Sequence, residues 1–590
     1  MLIKALCDYY DILSKNKKIT PVGYSEEYIN YIVCLAEDGK IDKIIECEKG
    51  TSEILPERVE IPAIYANIIE HRPKYIFGLN FDEKKKIYTI NDKSTKSHNH
   101  FKKENIDFLE DINSPVVNAY RNFILNWKPE NECENPHLMD LCTKYEKSKF
   151  VFCLSGEMDL PLHKDEQVIK KWLSEYEKKL KNDTGEKISQ CAISGEEDKI
   201  ARIHKKIKGV KGGQQSGTVL VSFNNDSDCS YGNEQSYNSN ISETAMKKYT
   251  KALNFILSKE NKKELFDDIT VTYWAMDSND EYDDFMSIFA FGDNNDMNAE
   301  ETENMLKKII SDAKDGRITY DRVSEIIGID SNVDFYMVGI KPNVSRLSVK
   351  FIYKRKFADI LINIGKHQSD MQITKEISPV SLKKIREALL PPKSKNVTIN
   401  PALFTKIFEA MIYGTDYPQA LLYETVRRVK TDKIISSQRA GIIKACINRK
   451  LRTLNKEEEL KVALDKENKN QAYLCGRLFA VLEKLQQDVS GNSLNTTIKD
   501  AYFASASSKP ATVFPKLIRL AQNHLKKSKR EKDYNKLIGE IIDYLDNEFP
   551  DNLLLAEQGK FIIGYYQQYQ DFFTKKDNKD TDTHKDTEEE

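Results

Sequence analysis

The hydrophobic period changes character once along this chain, and that change limits its architecture more than any other feature. Up to about residue 365, short β-branched and aromatic runs alternate with helical stretches. Strand-like runs are Ile29–Leu35 and Ile41–Cys47, joined by an Asp38-Gly39 hairpin turn, then Val151–Leu154, Thr218–Phe223, Ile269–Ala275, Phe335–Ile340 and Leu347–Tyr353. Leu2–Lys15, Asp165–Lys181 and a stretch from an Asn240/Glu243 capping box to about Leu257 read as helices. His98 and His100 fall in a polar loop. From Ser378 onward the strand signals stop and Pro, Gly and Asn punctuate a series of helical periods. The expectation is an α+β fold: a mixed α/β region over residues 1–370, then an all-α helical bundle over 371–574, with the boundary between about 365 and 378. At 590 residues the chain is too long for one core and calls for roughly two to four domains. Residues 575–590 are polar, charged and free of aromatics, which predicts disorder.

Charge is distributed unevenly under a near-neutral total. The formal net charge is −2, yet Leu421–Arg530 holds 23 Lys and Arg against 10 Asp and Glu. Ser331–Ile360 holds six basic residues and two acidic ones. Acidic compensation lies in Glu281–Glu303 and in the tail. Such polarity suits a nucleic-acid partner better than the total suggests. In PKLIRLAQNHLKKSKR, Pro515 suits a helix first turn, and Lys516, Arg519, Asn523, Lys526 and Arg530 then share one helical face. A helix over about Ser436–Thr453 repeats the pattern with Lys444, Asn448 and Arg452, and Arg427 and Arg428 add to the same basic region. Two nearly acid-free stripes point to a groove that tracks a single-strand backbone.

The stretch Arg202–Asn240 carries the most chemical information. Its basic run (Lys205, Lys206, Lys208, Lys211) leads into a glycine loop with Gly209, Gly212, Gly213 and Gly217, and then into a segment rich in amides. Glycines let a backbone approach a ligand, lysines neutralise phosphate, and Gln or Asn can pair with base edges. His204 reads as a structural group or a phosphate contact.

Catalytic and nucleotide-binding readings find little support. The glycines are not followed by the Lys-Ser/Thr of a P-loop, and the expected strand follows the loop where a GxGxxG would need it before. HExxH, GxSxG and CxxC are absent, and the ten cysteines are scattered. Asp267-Asp268 and Asp283-Asp284 suit magnesium, helix caps or solubilising charge. The expectation is no enzyme, no cofactor and no metal. The first residues lack a long apolar segment and no run reaches membrane-span length, which predicts a cytoplasmic protein.

ALCDYYDIL, PVGYSEEYINYIVCLAEDGK, CAISGEEDKIARIHKKIKGVKGGQQSGTVLVSFNNDSDCSYGNEQS, FYMVGIKPNVSRLSVKF, AGIIKACINRK, GRLFAVLEKLQQD and PATVFPKLIRLAQNHL follow one another from Met1 to about Ile542. In these segments the chain resembles the large subunit of the subtype I-C CRISPR surveillance (Cascade) complex, of the CRISPR-associated Csd-type family. The resemblance implies a non-catalytic subunit at the 5′ end of the crRNA, beside Cas5-type and Cas7-type backbone subunits. It implies recognition of the protospacer-adjacent motif in target double-stranded DNA, help in opening the duplex, and recruitment of a helicase-nuclease after R-loop formation. It also implies a C-terminal bundle like the small subunit, which in this subtype can also be made by internal translation of the same message, with Met371 as a candidate start and Met411 as an alternative.

On that reading Gln214, Gln215, Asn224, Gln235 and Asn238 are the base-edge candidates. Lys205, Lys206, Lys208 and Lys211 hold duplex phosphates, and Arg346, Lys350, Lys354 and Arg355 contact the crRNA end, a neighbouring subunit or the duplex. Arg427, Arg428, Lys444, Arg452, Lys516, Arg519, Lys526 and Arg530 guide the displaced strand. The competing classes are a metal-dependent nuclease using Asp267, Asp268 and Asp283, and a sequence-independent single-strand-binding scaffold.

Overall fold

The computed structural model describes residues 1–48, 51–57, 64–182, 187–266, 268–292, 299–375, 379–392, 399–456, 459–491, 496–545 and 548–574. The tail expected to be disordered lies outside them. No helix among the described residues is long and apolar enough to cross a membrane. Two compact units are present. The first comprises 1–209, 213–255 and 344–347; the second comprises 210–212, 256–343 and 348 onward.

The first unit is α+β. Tyr31–Leu35 is central in a three-stranded sheet, antiparallel to Ile41–Glu46 and parallel to Phe150–Leu154. All five residues of Phe150–Leu154 are buried, as a strand covered on both faces requires. The expected Asp38-Gly39 turn forms, with Gly39 at φ 86°, and a Cβ there would overlap the backbone nitrogen of Phe123. Phe77, Phe123, Phe150, Phe152, Tyr120 and Trp127 build an aromatic core beneath it. A separate two-stranded ribbon pairs Tyr24–Tyr28 with Ser52–Pro56.

Local readings fail in three places here. His98 lies on the helix Asp92–Leu109 and not in a loop; it is buried with Nδ1 3.0 Å from the Tyr75 carbonyl oxygen. Thr218–Phe223 is not a strand: only single bridges form, Thr218 with Ile207 and Val219 with Arg346. The helix Glu243–Ser258 is capped by Ser242, whose Oγ accepts from the Ala245 N–H at 3.2 Å, while Asn240 sits outside it at φ 48°.

The second unit joins a four-stranded sheet to helices. Strand order is Lys263–Phe266, Ile269–Ala275, Asp334–Asn343, Arg346–Lys356, and Ile269–Ala275 is buried throughout. Past Arg346–Lys356 every described element is a helix, as the periodicity predicts. The compact units nevertheless part near residue 255, well before the expected 365–378. The reason is a shared core: Phe266 of the sheet lies 4.4 Å from the Phe404 ring, and Tyr353 lies 6.0 Å from Phe408. The helix Pro510–Leu525 begins five residues earlier than Pro515 suggested, with Pro510 taking the first-turn position and Pro515 inside.

Helices Gln471–Ser490 and Leu555–Asp571 touch backbone to backbone. A Cβ at Gly476 would overlap the carbonyl oxygen of Phe561, and one at Gly564 would overlap that of Tyr473. Gly539, on helix Glu531–Asp543, has open space where its Cβ would go. Gly476→Ala is therefore expected to destabilise the protein by about 2–3 kcal/mol or more, since neither backbone can yield cheaply. Gly539→Ala should cost nothing, and gain up to about 1 kcal/mol from helix propensity. Thermal and denaturant unfolding of the two variants checks the contrast.

Candidate nucleic-acid interface

The glycine loop is closed at its base by a reciprocal backbone pair. Ile207 N–H donates to the Thr218 carbonyl at 2.6 Å, and Thr218 N–H donates to that of Ile207 at 2.8 Å. Gly217 makes the closure possible: its φ is 92°, and a Cβ would lie 2.9 Å from both the Ile207 carbonyl oxygen and the Lys206 Cβ. Its N–H donates to the Gln214 carbonyl at 2.8 Å, so Gln214–Gly217 is a tight turn. Residues 210–212 group with the second unit, and the rest of the loop with the first.

This turn leaves Gln214 and Gln215 exposed, and neither side-chain amide has a hydrogen-bond partner among the described residues. The other amide candidates divide. Asn238 is spent internally: its Nδ2 donates to the carbonyls of Asn233 and Gln235, both at 2.9 Å, and its Oδ1 accepts from the Ser230 N–H at 2.9 Å. It staples the 230–238 loop and is not available to a base. Gln235 holds Arg202 through Oε1 at 2.8 Å, so one half of its amide is used. Asn224 is exposed and, among the described residues, engages only Ser222, at 3.0 Å.

The basic run divides similarly. Lys205 pairs with Glu57. Burial would raise the Glu57 carboxyl, but Lys205, Lys247 and Lys251 outweigh it and hold the group below the ordinary range. Lys206 donates to Ser216 Oγ at 2.9 Å, across the loop. The ammonium groups of Lys208 and Lys211 are exposed and face no carboxylate among the described residues. Arg346 is brought onto the segment after the loop: Val219 N–H donates to the Ser345 carbonyl and Leu347 N–H to that of Val219, both at 2.8 Å. Its guanidinium lies 3.8 Å from Asp228. Nothing local in the sequence linked residues 219, 228 and 346.

In the second unit Lys350 is exposed, Lys354 is paired with Asp334 at 2.8 Å, and Arg355 stacks over Tyr413 at 4.4 Å. The stripe on Pro510–Leu525 and the turn after it is a surface: Lys516, Arg519, Asn523, Lys526 and Arg530 are all exposed. Arg530 meets Asp533 at 3.1 Å, whereas Lys516, Arg519 and Lys526 have no carboxylate partner among the described residues.

The second stripe is not a surface. On helix Ser437–Thr453, Lys444 is 4 % exposed and donates to the Asp370 carbonyl at 3.0 Å, and burial lowers its pKa to about 8. Asn448 is buried and bonded both ways to the Leu460 backbone, at 2.8 and 2.9 Å. Arg452 is half-exposed but held between Asp370 and, at 3.2 Å, Glu459. Arg428 is buried against Asp432, and the exposed Arg427 is paired with Glu424 at 2.5 Å. Lys444, Asn448 and Arg428 are structural, because their polar ends find partners inside the bundle.

Of the carboxylates considered for a nuclease, Asp268 pairs with Lys341 and Asp283 is buried against Lys262, while Asp267 lies outside the described residues. No group of three or more His, Cys, Asp or Glu that could hold a metal ion occurs among the described residues.

His204, inside the basic run, is 3 % exposed with Nδ1 2.6 Å from Tyr249 Oη, and burial lowers its pKa to about 4. Between the ordinary value near 6.5 and about 4, the unfolded chain binds a proton that the folded one refuses. Stability is therefore expected to fall as pH drops through that window and to be full above it. A His204→Gln variant should show a shallower decline in melting temperature over the same range.

The family described as CRISPR-associated protein (Cas_Csd1) matches residues 6–573, nearly the whole chain. No curated protein matches the sequence.

Proposed function

The chain belongs to the CRISPR-associated Csd1 family, and from that premise we propose that it is the large subunit of a subtype I-C Cascade complex and reads the protospacer-adjacent motif in target DNA. Membership implies work within a CRISPR effector complex; the finer roles belong to this proposal. The observation that carries it is the loop tip, where two adjacent glutamines with unused amides stand on a turn closed by its own backbone. A bidentate amide is the side-chain group suited to adenine in the major groove, and it can also meet base edges in the minor groove. Lys208, Lys211 and Arg346 would hold phosphates and fix register without carrying sequence information.

The exposed ridge of Lys516, Arg519 and Lys526 would guide the displaced strand while the guide pairs with its complement. Cas5-type and Cas7-type subunits, the crRNA, a small subunit from internal translation and a recruited helicase-nuclease complete the proposed assembly. The chain acts in it by binding and not by catalysis.

Gln214→Ala/Gln215→Ala should relax flank discrimination by about 1–3 kcal/mol per lost bidentate contact, read from binding of the assembled complex to duplexes with a randomised flank. An undiminished preference would move motif reading elsewhere. Reversing Lys516, Arg519 and Lys526 to Glu should weaken binding to all sequences alike and flatten its dependence on salt. An unchanged salt slope would make that ridge an ordinary solvated face.

A further inference from the structure

Residues 516–532 hold seven Lys and Arg against one acid, Glu531. Arg530 is paired with Asp533, but Lys516, Arg519, Lys526, Lys527, Lys529 and Lys532 are all exposed and have no carboxylate partner among the described residues. Helix electrostatics explain only part of this cluster. Lys526 and Lys527 follow helix Pro510–Leu525, whose C-terminal end favours cations. Lys529 and Lys532 flank the start of helix Glu531–Asp543, the end that disfavours them. Lys516 and Arg519 lie before the last turn, where the helix dipole no longer reaches. Like charges packed into so short a stretch repel one another, and a polyanion laid across them relieves that repulsion.

The chain itself carries such a polyanion. Residues 577–590 hold seven Asp and Glu against two Lys, and lie outside the described residues. The described chain gives way to them close to the basic cluster. The Phe573 ring lies 5.1 Å from Lys484 Nζ, and Lys484 pairs with Asp488 at 2.7 Å. Asp488 accepts in turn from the Tyr534 hydroxyl, and the Arg530 guanidinium sits 5.7 Å from the Tyr534 ring. Four side-chain contacts in series thus connect Phe573 to the turn that carries Lys526, Lys527 and Lys529.

The sixteen residues 575–590 reach roughly 20 Å as a coil and about 50 Å when extended, enough to cross that turn and run back along helix Pro510–Leu525. Single surface ion pairs are weak, but a segment tethered this close acts at an effective concentration in the millimolar range.

We propose that in the free protein residues 577–590 lie across Lys516, Arg519, Lys526, Lys527, Lys529 and Lys532, and that a nucleic-acid backbone must displace them to use the same cations. The docking stands on charge and position; the displacement rests on the reading of this ridge as a strand guide. The consequence is selectivity. A stray single strand has to compete with a tethered acid, whereas a strand held beside the ridge by the rest of an assembly competes on equal terms.

The test is zero-length carbodiimide crosslinking of the purified full-length chain, read by mass spectrometry of its peptides. At low ionic strength the carboxylates of 577–590 should join Lys526, Lys527 and Lys529. Raising salt from about 0.05 to about 0.5 M should reduce those products at least about fivefold. A saturating short oligothymidylate should reduce them as far at constant low salt. Deleting 575–590 should tighten oligothymidylate binding about tenfold, a gain that shrinks when Lys516→Glu, Arg519→Glu and Lys526→Glu are present. All three are exposed, so the fold should survive, which the melting temperature verifies. Crosslinks from 577–590 that are absent, or that spread over other lysines, would overturn the docking. Crosslinks that persist under saturating oligothymidylate, or an affinity that the deletion leaves alone, would overturn the displacement. If the triple reversal leaves oligothymidylate binding and its salt slope unchanged, the strand-guide reading fails and the displacement with it. The crosslinks, made without nucleic acid, still decide the docking.

Discussion

The buried carboxylate of Asp370 is the interaction on which the second unit depends. It ends helix Phe357–Met371, which runs directly out of the sheet, and it receives Arg449 at 2.7 Å as well as Arg452. Lys444 binds its backbone carbonyl. Beside it, Gly441 lets helix Ser437–Thr453 approach so closely that a Cβ would overlap the Met371 carbonyl oxygen. Burying one carboxylate among several cations is costly unless each is bonded, and here the guanidinium of Arg449 also donates to the carbonyls of Ala410 and Thr415, at 2.9 and 2.8 Å. Helices Phe357–Met371 and Ser437–Thr453 are thereby locked in register, beside the aromatic core shared with the sheet that keeps the compact units from separating where the periodicity changes.

The same carboxylate explains what sequence reasoning missed. Spacing identified a polar face on helix Ser437–Thr453, but spacing cannot tell whether such a face looks outward to solvent or inward to a partner far along the chain. Lys444 and Lys516 are equivalent by that measure; one meets Asp370 and the other meets no carboxylate among the described residues. Amides pose the same problem in the loop region. Asn238 and Gln215 have the same chemistry, yet Asn238 has three backbone partners within reach and Gln215 stands on a two-residue tip. What was legible followed from strong local physics: the fully apolar strand Ile269–Ala275, the Asp38-Gly39 hairpin, and the helical period beyond Met371. Thr218–Phe223 was β-branched enough to suggest a strand, but it finds only single bridges, so propensity had nothing to propagate.

The candidate interface therefore narrows to fewer groups than composition suggested. In the first unit the free groups are the amides of Gln214 and Gln215, with Lys208 and the guanidinium of Arg346 also belonging to it. In the second, the exposed cations of the Lys516–Lys526 ridge remain, with Lys211 and Lys350. A backbone-closed turn that presents unspent amides would need little ordering on binding, the property that the proposed reading of a short motif requires.

The most direct measurement is photocrosslinking from a benzophenone side chain placed at position 215, in the complex assembled with its crRNA and bound to a duplex target. A crosslink to the base pairs flanking the target, strong on one flank sequence and weak on others, is the predicted result. Crosslinks that ignore flank sequence, or none to the flank at all, would contradict the assignment of motif reading to this turn.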